Sequence, residues 1–244
     1  MGPIFHLSMR QLTGKWRLAI IVLVAAMPVA VVLAFRAAGG ADDRSANDLQ
    51  DAVSVFLDGM IVAAVLPIVT MTFATASFGN EVEDGTLSYL LLNPMRRWSI
   101  ALGKMLAPVT IAAPVLIVSG VAVTLIGLDG GIRTAAAVGV GLLAGVVGYC
   151  VIFAWLGLAT GHPLGFALVY VFLWEGLLSS FLGGIRYLSV RAYTLTIMEG
   201  IDDGGLGALS ELTIELPAAI AGVSAVSAVF FWLAVRRLRR MDVP

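Results

Sequence analysis

Apolar residues occur along this chain in long, nearly unbroken blocks, and the polar residues gather between them. Six blocks approach or exceed the roughly 20 residues that a helix needs to cross a hydrocarbon layer at about 1.5 Å per residue. They cover residues 18–35, 53–78, 100–126, 134–160, 164–182 and 216–235. The pattern predicts an all-α, polytopic membrane protein with six transmembrane helices in one domain, 1–244. A transmembrane barrel would show alternating segments of about ten residues, and none is present.

Two segments outside the blocks carry patterns of their own. In residues 4–16, Ile4, Phe5, Met9, Leu12 and Trp16 fall at near-helical spacing, with His6, Arg10, Gln11 and Lys15 on the other face. This predicts an amphipathic interfacial helix within 1–17, ahead of the first span; the plainer alternative is a basic flank of that span. Segment 183–215 is too long for a tight turn. Tyr187, Tyr193 and the moderately apolar stretch 187–201 predict one or two short helices that dip into the outer interface without crossing. A short seventh span there is opposed by the basic tail that follows the last block.

Composition agrees with the blocks. The chain is 59% hydrophobic and 13% charged, far from the balance of a soluble domain. A net charge of -1 argues against a nucleic-acid partner. The one cysteine, Cys150, lies inside an apolar block, so no intrachain disulfide can form. The first block is long, lacks a small-residue cleavage site and is followed by others, so it is expected to stay as a span.

An even number of spans places both termini on one side, and Arg and Lys identify that side. Arg10, Lys15, Arg17, Arg96, Arg97, Lys104, Arg236, Arg237, Arg239 and Arg240 fall with the termini, against Arg36, Arg44, Arg133, Arg186 and Arg191 opposite. The termini and the 79–104 connector are therefore expected to be cytoplasmic.

That connector is the most informative stretch of the chain. Glu81, Glu83 and Asp84 prolong the second span into water, and Gly85, a poor helix residue, breaks it. Thr86 can cap a new helix, in which Leu87, Leu90 and Leu91 form one apolar face. Pro94 ends it, because the residue before a proline avoids the helical region. Acidic residues ahead of this helix and Arg96 and Arg97 beyond it suit its dipole. A short, rigid, amphipathic helix results, its leucines able to pack into a groove on a partner or onto the spans above.

Here the chain resembles the ABC-2 type permeases, the transmembrane subunits of one large group of ABC exporters. The resemblance rests on Glu81, Glu83, Gly85, Thr86, Leu87, Pro94, Arg97, Gly103 and Lys104, and on the order of elements around them. It implies that 79–99 is a coupling segment seated on a separate ATP-binding subunit. It also implies a working unit of two permeases, identical or related, with two such ATPases, which bind ATP and magnesium. Glu81, Glu83, Asp84, Gly85, Thr86, Leu87, Leu90, Leu91, Pro94 and Arg97 are the expected coupling residues. The chain has no Gly-x-x-x-x-Gly-Lys-[Ser/Thr] loop of its own, since Thr13-Gly14-Lys15 lacks both the upstream glycine and the hydroxyl. No cofactor, metal ligand or catalytic residue is therefore expected in this chain.

Two carboxylates interrupt the blocks, Asp58 in the second and Glu175 in the fifth. A charge at mid-bilayer costs about 2.5–3.5 kcal/mol, so each should face protein or water. Either they line a pathway, or Asp58 sits at the wet interface and Glu175 is held by hydrogen bonds or an ion pair with Arg186 or Arg191. The resemblance implies that the second and fifth spans border the pathway. Ala137, Gly141, Gly145 and Gly148 make a small-residue face on the fourth span that permits close packing within the chain. Pro67, Pro108 and Pro114 favour kinks, and Arg236, Arg237, Arg239 and Arg240 read as an anchor for anionic headgroups, with a contact to the ATPase as the alternative.

The expected function is that of a multi-pass permease in a plasma membrane, of prokaryotic type because no ATPase is fused to it. A non-transporting scaffold is the alternative. An intramembrane enzyme is disfavoured, because His6 and His162 lack paired carboxylates nearby in sequence.

Overall fold

The computed structural model describes residues 2–38, 46–87, 95–128, 131–178, 185–202, 206 and 214–241. Among them the chain is helical, with no strand. α1 (Gly2–Leu12) precedes α2 (Lys15–Ala37). α3 (Ala46–Phe56) runs through a π-helical stretch, π1 (Leu57–Val65), into α4 (Leu66–Glu83). Then come α5 (Arg97–Gly127), α6 (Ile132–Ala159) and α7 (Pro163–Val169), the last continuing as π2 (Tyr170–Leu178). A 3-10 turn (Ile185–Leu188) leads to α8 (Val190–Asp202), and α9 (Leu216–Arg240) closes the order.

Among the described residues, five helices are long and apolar enough to cross a membrane: α2, the rod from Asp51 to Glu83, α5, α6 and α9. The fifth expected span is shorter, an apolar piece over Pro163–Leu177. The remainder of that expected block, 179–182, lies outside the described residues.

α6 is the centre of the bundle. Of its apolar stretch 72% is buried, against 22% for α2 and α9, so α6 is packed on most of its surface while those two leave most of theirs for lipid or another subunit. Glycine makes this possible. A Cβ on Gly145 would stand 2.8 Å from Leu66 Cδ2, and one on Gly148 would stand 2.9 Å from Val190 Cγ1. A Cβ on Gly157 would meet the carbonyl of Thr75, so α4 crosses α6 almost backbone to backbone.

Both chain ends share one face, here the terminal face. Arg237 near the end of α9 donates from Nε to the Leu158 carbonyl (2.9 Å) and from Nη2 to that of Ala159 (3.1 Å), at the last turn of α6. α1 lies against the start of α5, where Ile4 touches Gly103. Its inward stripe is Ile4, Ser8 and Leu12, all buried. Trp16 does not extend that stripe. The chain turns at Thr13-Gly14, where Thr13 bonds back to the Met9 carbonyl, and Trp16 belongs to α2 and is exposed.

The expected dip of 183–215 into the interface is deeper than the tyrosines suggested. α8 lies along the glycine face of α6: Met198 meets Gly141, Thr194 meets Gly145 and Val190 meets Gly148. Its far end is tied where Thr134 donates to Asp202 (2.8 Å). Gly148 lies about 24 Å along α6 from Ile132 at about 1.5 Å per residue, so α8 begins beyond the middle of a core about 30 Å thick. Tyr193 is buried rather than at headgroup level, and its ring fills the space over Gly222 of α9.

Several hydroxyls inside the spans are satisfied by carbonyls of their own helix, as a medium without water favours. Thr70 donates to the Leu66 carbonyl (2.7 Å), Thr75 to that of Met71 (2.6 Å) and Ser77 to that of Ala74 (2.8 Å). α5 stays helical through Pro108 and Pro114.

Candidate functional site

The connector is held at its two roots. At the first root, α4 ends in a Schellman arrangement. Gly85 takes φ 66°, its N–H reaches the Val82 carbonyl (3.3 Å), and the Thr86 N–H reaches that of Glu81 (3.0 Å). A left-handed residue is needed at this point, and glycine adopts it without a Cβ clash. Gly85 is thus a specific helix cap rather than a simple breaker.

At the second root, Arg96 adopts extended dihedrals and α5 begins at Arg97, with the Ser99 N–H donating to the Arg96 carbonyl (2.9 Å). Two turns further in, Lys104 is wholly buried. Its Nζ lies 2.6 Å from Glu81 Oε1 and 2.6 Å from the Ser77 carbonyl, 5.3 Å above the centre of the Phe78 ring. One ion pair therefore joins the last turn of α4 to the first turns of α5. A buried charge left without its partner is strongly destabilising, so this clamp fixes the distance between the two roots.

The expected coupling residues divide accordingly. Glu83, Asp84, Gly85 and Thr86 are exposed, and Arg97 is half-buried. Glu81 does not extend into water as expected. It is 6% exposed because Lys104 draws it inward. Leu87 is helical and buried in this chain's own core, so it packs onto the spans rather than outward. Leu90, Leu91 and Pro94 lie outside the described residues. Beside this root a groove of about 680 Å³ opens between the start of α2, α4 and the start of α7. Arg17, Asn80, Glu83 and His162 line its terminal-face side, and Met71 and Leu168 lie deeper.

The two intramembrane carboxylates lie one on each π-helical stretch, and both are turned to the start of α8. Wide turns of this kind are rare and gather at functional sites. Asp58 on π1 receives a two-point ion pair from Arg191, Nε to Oδ1 at 2.8 Å and Nη2 to Oδ2 at 2.7 Å, with both side chains 27% exposed. Glu175 on π2 is buried. It accepts from the Val190 N–H (2.9 Å), the Tyr170 hydroxyl (3.0 Å) and the Ser189 hydroxyl. Ser189 in turn accepts from the Ala192 N–H (3.1 Å), which makes it the N-cap of α8. Glu175 thus completes that cap, with its charge at the positive end of the helix dipole.

Of the two ion-pair partners considered for Glu175, Arg191 is paired instead with Asp58, and the side chain of Arg186 lies outside the described residues. Sequence reasoning missed Ser189, Tyr170 and the clamp role of Lys104. Only Lys104 had a signal, being a cation well inside an apolar block.

No curated protein matches this chain. The family model described as "ABC-2 family transporter protein" matches residues 14–187, from the start of α2 to the 3-10 turn before α8. That match takes in well over half of the sequence and both roots of the connector, and so the chain belongs to the ABC-2 family of transporter proteins.

Proposed function

We propose that this chain is the membrane-spanning permease subunit of an ATP-driven exporter, and that the connector 79–104 seats on a separate ATP-binding subunit. The observation that carries this reading is the clamped connector. The Glu81–Lys104 pair and the Gly85 cap hold two roots in fixed register, with Glu83, Asp84 and Thr86 exposed. A push on a segment rooted in that way moves α4 and α5 together, instead of being absorbed by a slack loop. The ATPase supplies ATP and magnesium, in two copies, to a pair of permeases, identical or related. On this reading the α7–π2 piece acts as the fifth of six spans, and the excess of Arg and Lys on the terminal face supports a cytoplasmic orientation of that face.

Asp58 and Glu175 serve this function by seating α8. Both carboxylates already have partners within the chain, which favours a structural gate over a substrate ligand. Export as the direction, and a pathway between the second and fifth spans, are part of this proposal, and membership of a transporter family supports them.

The experiment is cysteine cross-linking from Asp84, Thr86 and Leu90 to a co-expressed ATP-binding subunit. Cys150 is buried, so the native thiol leaves the background low. Capture that changes with ATP supports the reading, and absence of capture from all three positions sinks it. A scaffold would be captured yet leave ATP-dependent substrate movement in vesicles unaffected.

A further inference from the structure

We propose that the groove between the terminal-face ends of α6 and α9 binds the phosphate headgroup of an anionic phospholipid, with Arg236 and Arg240 as its anion ligands. The groove is about 530 Å³ and is lined by Trp155, Leu233, Arg236, Arg237, Arg240 and Met241. Leu233, Arg236, Arg237 and Arg240 stand at i, i+3, i+4 and i+7 of α9, so they form one stripe on that helix, and Met241 caps its end. The stripe is graded. Leu233 and Trp155, which packs edge-on to Phe230 with centroids 5.3 Å apart, make an apolar wall on the membrane side. The arginines follow toward the end of the helix. An apolar wall below a cationic rim is the shape of a phospholipid, acyl chain first and phosphate above.

The three arginines are not equivalent. Arg237 is committed to the last carbonyls of α6. Arg236 is oriented by Trp232, its guanidinium 5.1 Å from the ring centre. No carboxylate lines the groove among the described residues. An arginine fork suits a phosphate better than a point charge does, and basic pockets at the cytoplasmic ends of spans bind lipid headgroups. Arg239 has the same charge one residue from Arg240 but does not line the groove. The inference rests on α9 crossing a bilayer and is independent of the transport reading.

The test titrates the full chain, in neutral dodecyl maltoside micelles, with dioleoylphosphatidylglycerol and reads bound lipid by native mass spectrometry. One phosphatidylglycerol per chain is expected to be retained in preference to phosphatidylcholine. Arg236→Gln and Arg240→Gln should each lower the apparent affinity about tenfold, as loss of a charged hydrogen bond does. Arg239→Gln should change it less than about threefold, since neutral micelles leave only a weak general attraction. Equal losses in all three variants, or equal retention of phosphatidylcholine, overturn the site in favour of a diffuse anchor. Leu233→Ala should weaken phosphatidylglycerol; if it does not, and inorganic phosphate displaces the lipid, the ligand is a free anion and the lipid assignment fails. Should Arg240→Gln not fold, Arg240→Lys keeps the charge and loses the fork, and an unchanged affinity there overturns the proposal.

Discussion

Arg191 and Asp58 stand 133 positions apart in sequence and meet in a two-point ion pair that pins the start of α8 to π1. Both groups are 27% exposed. The pair therefore lies between the exposed case, worth at most about 1 kcal/mol, and the buried case, where removal of one partner costs about 3–5 kcal/mol. Asp58→Asn and Arg191→Gln are each expected to lower stability by about 1–2 kcal/mol, and the double variant should cost less than their sum. Thermal unfolding in detergent measures this cycle. Strict additivity would mean that the two side chains are neighbours without being partners.

Glu81 and Lys104 make the sharper case, because no water reaches Lys104. Glu81→Gln leaves a buried ammonium without its counter-charge, and a loss of about 3–5 kcal/mol is expected. Replacing both, as Glu81→Leu with Lys104→Met, removes the two desolvation terms together and should recover most of the folded yield. The two roots are then joined only by apolar contact. If the clamp transmits motion, the double variant folds but stimulates its ATPase partner poorly. Wild-type coupling in the double variant would reduce the pair to a packing device.

Five of the helical blocks and the helix end at Gly85 were legible because they are local, while the helix expected up to Pro94 lies outside the described residues. A block of apolar residues states its own length, and Gly85 and Pro94 punctuate the chain where they stand. What was illegible was long-range. Arg191 reads as one of the cations opposite the termini, and nothing near it in sequence names Asp58. Glu81 reads as exposed, because its neighbours Glu83 and Asp84 are, and its burial depends on a lysine at the far end of the connector. The glycine face of α6 was legible as a packing surface. That its guest is α8, entering beyond mid-membrane, follows only once both helices are placed. The π-helical widening at Asp58 and Glu175 leaves no mark in hydropathy.

Gly145 tests that close fit. A Cβ there would crowd Thr194 and stand 2.8 Å from Leu66 Cδ2, so Gly145→Val should push α8 off α6 at about 1–3 kcal/mol. The readout is labelling of a cysteine placed at Ala192, which is buried in the native packing. Gly165→Ala is the control, since nothing lies within 4 Å of its added methyl. Faster labelling in the first variant and none in the control is expected. Equal labelling would show that α8 is not held by the glycine face.

Gly85 separates folding from coupling. It takes φ 66° with no atom within 4 Å of an added Cβ, so Gly85→Ala adds backbone strain and no clash. That strain is about 1–2 kcal/mol. The chain can relieve it by unwinding the last turn of α4, which releases the Thr86 N–H from the Glu81 carbonyl. The bundle, far larger than one turn, should still insert and melt near the native temperature. The connector would leave α4 at a different angle, and the partner's ATPase stimulation should fall several-fold. Asn tolerates the left-handed region better than Ala, so Gly85→Asn should restore most of the stimulation. Were Ala and Asn equally impaired, the loss would come from the added side chain meeting the ATPase rather than from the cap. Were both fully active, the angle at which the connector leaves α4 would not matter to coupling.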